Sequence, residues 1–380
     1  MTSRLPRALA VLALAVFAAA GSCPFSGLPV PCATPEIPVS TGLTFLVGGD
    51  PTCSENGTPL CANSIGDDGD RTIPEHLVSL DPFLVDQTEV SNIQYRECVD
   101  RGACGLPLDC VPGAPFLALG ARVNPAGGCR FELRQYDDLP VVAVSWDDAR
   151  RYCEWRGKSL PTEAQWERAA VGPRGEGEAA RKFPWGDEAS FEGRAQVTPE
   201  DRCDGFLKDR PAPVRDEARR AGRSVEGVYD LAGNVREWTL DDFDPALYCR
   251  DTTPSAEERA AHGGADCGGA EHRECPRTDQ APLPPAVVAN PVYGGSAARK
   301  VVRGGAFCST NVSQVQHDCD LHARSRAGLQ RDFQTADLPS VPLLTARLAG
   351  LYNDAQLTGF RCVRNGLVPD PALSYCPLLP

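Results

Sequence analysis

The chain has 380 residues, with 51 acidic side chains against 38 basic ones, a net charge of −13 and a pI near 5.0. An acidic chain with no basic stripe lacks the electrostatic footprint of a nucleic-acid binder, and that class is set aside. Seventeen cysteines argue against a reducing compartment, where thiols in this number are rare, and for an exported, disulfide-rich protein.

In chain order, Arg4 and Arg7 precede an uncharged apolar run from Ala8 to Ala20, which is short for a membrane span and reads as the core of a secretion signal. It leads into Ala20-Gly21-Ser22-Cys23, which resembles a bacterial lipobox. Residues 1–22 are therefore expected to be a lipoprotein signal peptide, with Cys23 as the lipidated first residue of a protein anchored in the cell envelope. Setting Cys23 aside leaves an even number of cysteines for pairing. Residues 23–40 hold five prolines and read as a tether. A domain is expected over 41–365, with insertions at about 102–138 and 241–295, followed by a tail at 366–380.

Within the domain, 41–47 alternates weakly and predicts an opening strand, 77–85 is strand-like, and 91–99 predicts a first helix. Cys98 and Cys104 flank the turn-like Asp100-Arg101-Gly102 and form the best local disulfide pair. Val141 to Val144 predicts a short buried strand. Ser145 then stands before Trp146-Asp147-Asp148, an N-cap followed by acids in the first helical turn, and Gly157 supplies the stop. Thr162 with Gln165 three residues on predicts a capping box for a helix over 163–170. The five tryptophans fall in or near these segments and are expected to fill the core.

Several stretches recur as one signature: FLVDQTEVSNIQY (83–95), VVAVSWDDARRYCEWRGKSLPTEAQWERAA (141–170), GVYDLAGNVREW (227–238), and VVRGGAF (301–307) with TGFRCVR (358–364). In content and order they resemble the formylglycine-generating enzyme family, also called the sulfatase-modifying-factor domain. The resemblance implies an α+β, C-type-lectin-like fold with much irregular structure.

It also implies chemistry to be checked. Active members hold copper(I) between two cysteine thiolates and use molecular oxygen to convert a sulfatase cysteine to formylglycine; soft sulfur ligands suit that ion. The positions similar to that pair are Cys308 and Cys319, with ten residues between them in place of the family's C-x4-C spacing. The active-site serine position is Ala306. Cys308 and Cys319 read as a plain disulfide, as a copper or redox pair, or as cysteines bonded to different partners, and His317 and His322 flank the second of them. The 227–238 block implies a calcium site built from Asp230, Gly233, Val235 and Glu237, oxygen donors of the kind calcium prefers. A second calcium site would draw on Asp204 and Phe206, with Gln196-Val197 opposite. The functional expectation is a cell-envelope lipoprotein whose domain is non-catalytic and binds a protein, peptide or glycan; the alternative is a copper-dependent formylglycine-generating oxidase.

Overall fold

The computed structural model describes residues 34–40, 44–48, 76–110, 130–173, 181–188, 190–197, 211–243, 287–294, 297–307, 326–331 and 357–366. These residues form ten short strands and three helices: β1 (Glu36–Val39), β2 (Phe45–Val47), β3 (His76–Ser79), β4 (Phe83–Asp86), α1 (Asn92–Asp100), α2 (Trp146–Trp155), α3 (Glu163–Val171), β5 (Arg236–Asp242), β6 (Val288–Ala289), β7 (Arg299–Arg303), β8 (Arg326–Gln330), β9 (Thr358–Gly359) and β10 (Val363–Asn365). The strands make three small sheets, ordered β1-β4-β10, β2-β3-β6 and β8-β7-β5-β9. This is the irregular α+β class that the sequence predicts.

Each helix starts where its cap dictates. The Ser145 Oγ accepts from the Asp148 amide at 3.1 Å, opening α2. Thr162 and Gln165 form the reciprocal capping box at the start of α3, each side chain accepting from the other's amide at 3.0–3.1 Å. Such a cap contributes about 1 kcal/mol. Gly157 follows α2 with φ +69°, a value that favours a residue without a Cβ.

β4 reads FLVD and is buried throughout, because β1 pairs on one edge and β10 on the other, both antiparallel. Across β1 and β4, Glu36 stands directly opposite Asp86. The repulsion between them is relieved by Lys158, whose Nζ lies 3.2 Å from one carboxylate and 2.5 Å from the other. The core divides in two. One part gathers Tyr95, Tyr152, Trp146, Trp238 and Phe360 between α1, α2 and β5; the other packs Val39, Val78, Phe83 and Val85 against Trp166 and Ala170 of α3. Three of the five tryptophans are buried, while Trp155 and Trp185 are half-buried.

Four expectations need correction. Glu36–Val39, read as tether, is a strand; its Pro38 is tolerated because β1 lies at a sheet edge. The strand-like stretch 77–85 is two strands, β3 and β4, belonging to different sheets and separated around Pro82. Val141, Ala143 and Val144 are buried but the segment forms no strand, since Ala143 adopts φ +58° and the chain is held by single bonds such as Val141 N to Val90 O. The insertion at 102–138 is not wholly peripheral: Phe131 enters the core and Asp137 is buried against Arg96 at 2.5 Å.

Two disulfides are defined among the described residues. Cys98–Cys104 closes the local turn after α1, as predicted. Cys153–Cys362 joins α2 to the segment between β9 and β10 across 209 positions. Closing a loop of that size restricts the unfolded chain strongly. Replacing Cys153 and Cys362 together with alanine is expected to cost about 2–5 kcal/mol in denaturant unfolding without reductant. The Cys98/Cys104 double variant, which opens a far smaller loop, is expected to lose less.

Candidate functional site

Residues 228–235 of the 227–238 block fold as a buried turn without regular structure, and Arg236 to Trp238 open β5. Asp230, Gly233 and Asn234 all take left-handed backbone angles, between +56° and +82°. At Gly233 a Cβ would fall 2.7 Å from the Gln196 carbonyl oxygen, so close backbone approach adds to the demand for glycine.

Asn234 is the hub of this turn. Its amide donates to Gln196 O at 3.0 Å, and its carbonyl accepts from Phe307 N at 2.9 Å. Its side-chain oxygen accepts from Ala212 N at 2.8 Å, and its side-chain nitrogen donates to both oxygens of Glu89 at 3.0 and 3.1 Å. Gly233 N adds a bond to Gly304 O at 2.8 Å. One dipeptide thus ties together the segments near 89, 196, 212 and 304–307.

Two buried ion pairs flank the hub. Glu237, on β5, faces Arg361: Nε reaches Oε2 and Nη2 reaches Oε1, both at 2.6 Å, with neither side chain exposed. Arg361 also donates to the carbonyls of Asp86 and Tyr229, while the Trp166 indole donates to Glu237 Oε2 at 2.9 Å. Asp230 faces Arg219, with Nε 3.0 Å from Oδ1 and Nη2 3.3 Å from Oδ2. Both arginines are held above their ordinary pKa: burial works against the charge, and the facing carboxylates outweigh it. The third acid, Glu89, is fully buried; burial first, then the fields of Asp230 and Glu237, push its carboxyl well above the usual range. The cluster therefore sets three carboxyls against two guanidinium groups.

The 301–307 segment reaches the hub from β7. Gly304 and Gly305 turn the chain at φ +90° and +63°, and a Cβ on Gly304 would lie 3.1 Å from Trp166. Ala306 follows, buried beside Phe307 and Leu357 in a small apolar cluster. Upstream on β7, Arg303 is buried between Glu163 and Glu167 of α3.

The predicted site residues divide clearly. The structure buries Asp230, Gly233 and Val235 in one turn, with Glu237 following on β5. Both carboxylates of that set are engaged by guanidinium groups. Among the described residues, no group of three His, Cys, Asp or Glu side chains is placed to hold a metal ion. Cys23, Asp204, Phe206, Cys308, His317, Cys319 and His322 lie outside the described residues. Sequence reasoning missed Glu89, Asn234 and Arg219. The first two sit inside signature blocks, whereas Arg219 lies in a polar loop segment, Glu217–Gly222, with no local signal.

The fold and its buried polar hub define an irregular α+β domain pinned by arginine–carboxylate pairs and disulfides. The chain belongs to the family whose model, the sulfatase-modifying factor enzyme 1-like domain, matches residues 40–334. It is similar to the formylglycine-generating enzyme of Streptomyces coelicolor, 33% identical over 48% of this chain and 65% of that one. It is also similar to hercynine oxygenase of Mycolicibacterium smegmatis, 30% identical over 63% of this chain and 57% of that one. A third relative is the inactive C-alpha-formylglycine-generating enzyme 2 of Mus musculus, 37% identical over 50% of this chain and 68% of that one. The chain spans less than two-thirds of the length of the first two. Catalytic and inactive members thus lie at similar distances.

Glu89 gives the site a pH signature. Its folded pKa is raised, so its contribution to stability is fully present below the unfolded carboxylate pKa and is lost as pH rises through the folded value. Glu89→Gln keeps an acceptor for Asn234 without the charge. The variant is expected to melt above the wild type at neutral pH, and the gap should close below about pH 4, where glutamate in the unfolded chain is protonated too. Melting curves of both proteins across that range check it.

Proposed function

We propose that this chain is an exported lipoprotein, anchored in the bacterial cell envelope through Cys23, whose domain binds a protein, peptide or glycan and does not catalyse formylglycine formation. The observation that carries the reading is Ala306. The resemblance implies a serine hydroxyl there, and this chain supplies a methyl group packed on Phe307 and Leu357. An apolar wall gives no hydrogen bond to a polar reactant at that point. The ten-residue gap between Cys308 and Cys319 points the same way, as a spacing suited to a crosslink in a cysteine-rich exported chain. An inactive relative shows that the family's scaffold persists without the activity.

A second reading stays in view because of the identity to bacterial formylglycine-generating enzymes. In it, Cys308 and Cys319 hold copper, and the substrate is a cysteine of an exported sulfatase-like protein.

The deciding measurement is mass spectrometry of a sulfatase-type cysteine peptide incubated with the protein, copper(I) and air. No aldehyde product is expected, and thiol labelling of the native, unreduced chain should find neither Cys308 nor Cys319 free. Aldehyde formation that is lost in Cys308→Ser would establish the oxidase. The anchor is tested separately: Cys23→Ser should move the protein from the membrane fraction to the soluble fraction of the envelope, and a variant that stays membrane-bound removes the lipid from the reading.

A further inference from the structure

The resemblance puts a calcium ion among Asp230, Gly233, Val235 and Glu237, yet both carboxylates of that set already face organic cations. We propose that Arg219 and Arg361 take over the charge of that ion, so that this turn is held by fixed guanidinium groups and does not take up calcium. The inference is independent of whether the domain binds a ligand or catalyses.

Three observations carry it. First, every carboxylate oxygen of the pair has an N–H donor: Asp230 Oδ1 and Oδ2 from Arg219, Glu237 Oε1 and Oε2 from Arg361, with the Trp166 indole on Oε2 as well. Second, neither arginine is at liberty to swing aside. Arg219 is fixed by the Asp216 carboxylate at 2.9 Å and the Pro213 carbonyl at 3.0 Å. The Glu217–Gly222 segment that carries it lies so close to its neighbour that a Cβ on Gly222 would fall 1.8 Å from Arg194 O. Arg361 is fixed by the carbonyls of Asp86 and Tyr229.

Third, each carboxylate of the set already has its own counter-ion. Two carboxylates meet two guanidinium groups in a region closed to water. Of the further acids, Glu89 turns both oxygens to Asn234 and Asp216 is engaged by Arg219. A divalent ion added here would have to displace these guanidinium contacts or share their carboxylates at close range with them. Calcium gains its affinity from anionic and carbonyl oxygens that surround it closely. Arginine offers the same neutralisation with directed hydrogen bonds and no dependence on free ion concentration.

The test is scanning calorimetry of the full chain in chelator and in millimolar calcium. The wild-type midpoint is expected to be the same in both. Arg219→Met, which removes the charge and keeps the stem, should lower the midpoint, and calcium should recover part of the loss by entering beside the released Asp230. A wild-type midpoint that falls by several degrees in chelator, through a response that Asp230→Asn abolishes, overturns the proposal. A fall that persists in Asp230→Asn places the ion elsewhere and leaves the pairing standing. An Arg219→Met protein indifferent to calcium also overturns the equivalence of ion and guanidinium; should that variant not fold, the wild-type and Asp230→Asn measurements decide alone.

Discussion

The fold depends on one fully desolvated contact, the two-pronged pair between Glu237 and Arg361. Taking both ions out of water costs several kcal/mol each, and only close geometry with further hydrogen bonds recovers it. The surroundings supply those bonds: the indole of Trp166 to the acid, and the carbonyls of Asp86 and Tyr229 to the base. Those partners come from α3, the end of β4 and the buried turn. The pair therefore registers elements that share little backbone pairing, which a fold with such short strands needs. Removing either member would strand a buried charge, a far larger penalty than losing a surface bridge.

The same principle recurs at smaller scale. Arg303 bridges Glu163 and Glu167 between β7 and α3, and Lys158 separates two facing acids on β1 and β4. Gly48 N also donates to Glu167, drawing the end of β2 into the same group. Helix α3 is thus buried on faces that carry charge as well as on its apolar side. Hydrophobic patterning alone would have left those acids in solvent, but here they work as connectors.

What the sequence made legible was local. The caps at Ser145 and Thr162, the stop at Gly157 and the Cys98–Cys104 pair all follow from neighbours within a few positions. The four blocks made the family legible, and membership in it carries the architecture. What stayed hidden is non-local. β1 looked like tether because the five prolines of residues 23–40 outweigh its two strand-forming residues, and only pairing with β4 makes it a strand. Ala143 gave no sign of its left-handed angle, which tertiary contacts impose. Arg219 sits in a segment without periodicity, and its partner Asp230 is chosen by the packing of Gly222 on the 190–197 stretch. The candidate site divided in the same way: its acids were named from the motif and Arg361 is legible as a partner for acids, whereas Arg219 was visible only in three dimensions.

The disulfide between Cys153 and Cys362 adds a temporal consequence. Arg361, Cys362 and strands β9 and β10 all come from the last part of the chain, yet they complete two of the three sheets and neutralise Glu237. During synthesis β4, β5 and their acids emerge well before Arg361 and Cys362, and they stay without these partners until that segment follows. Contacts of such long sequence separation form only after a large loop has closed, which places the completion of the buried pair late in folding.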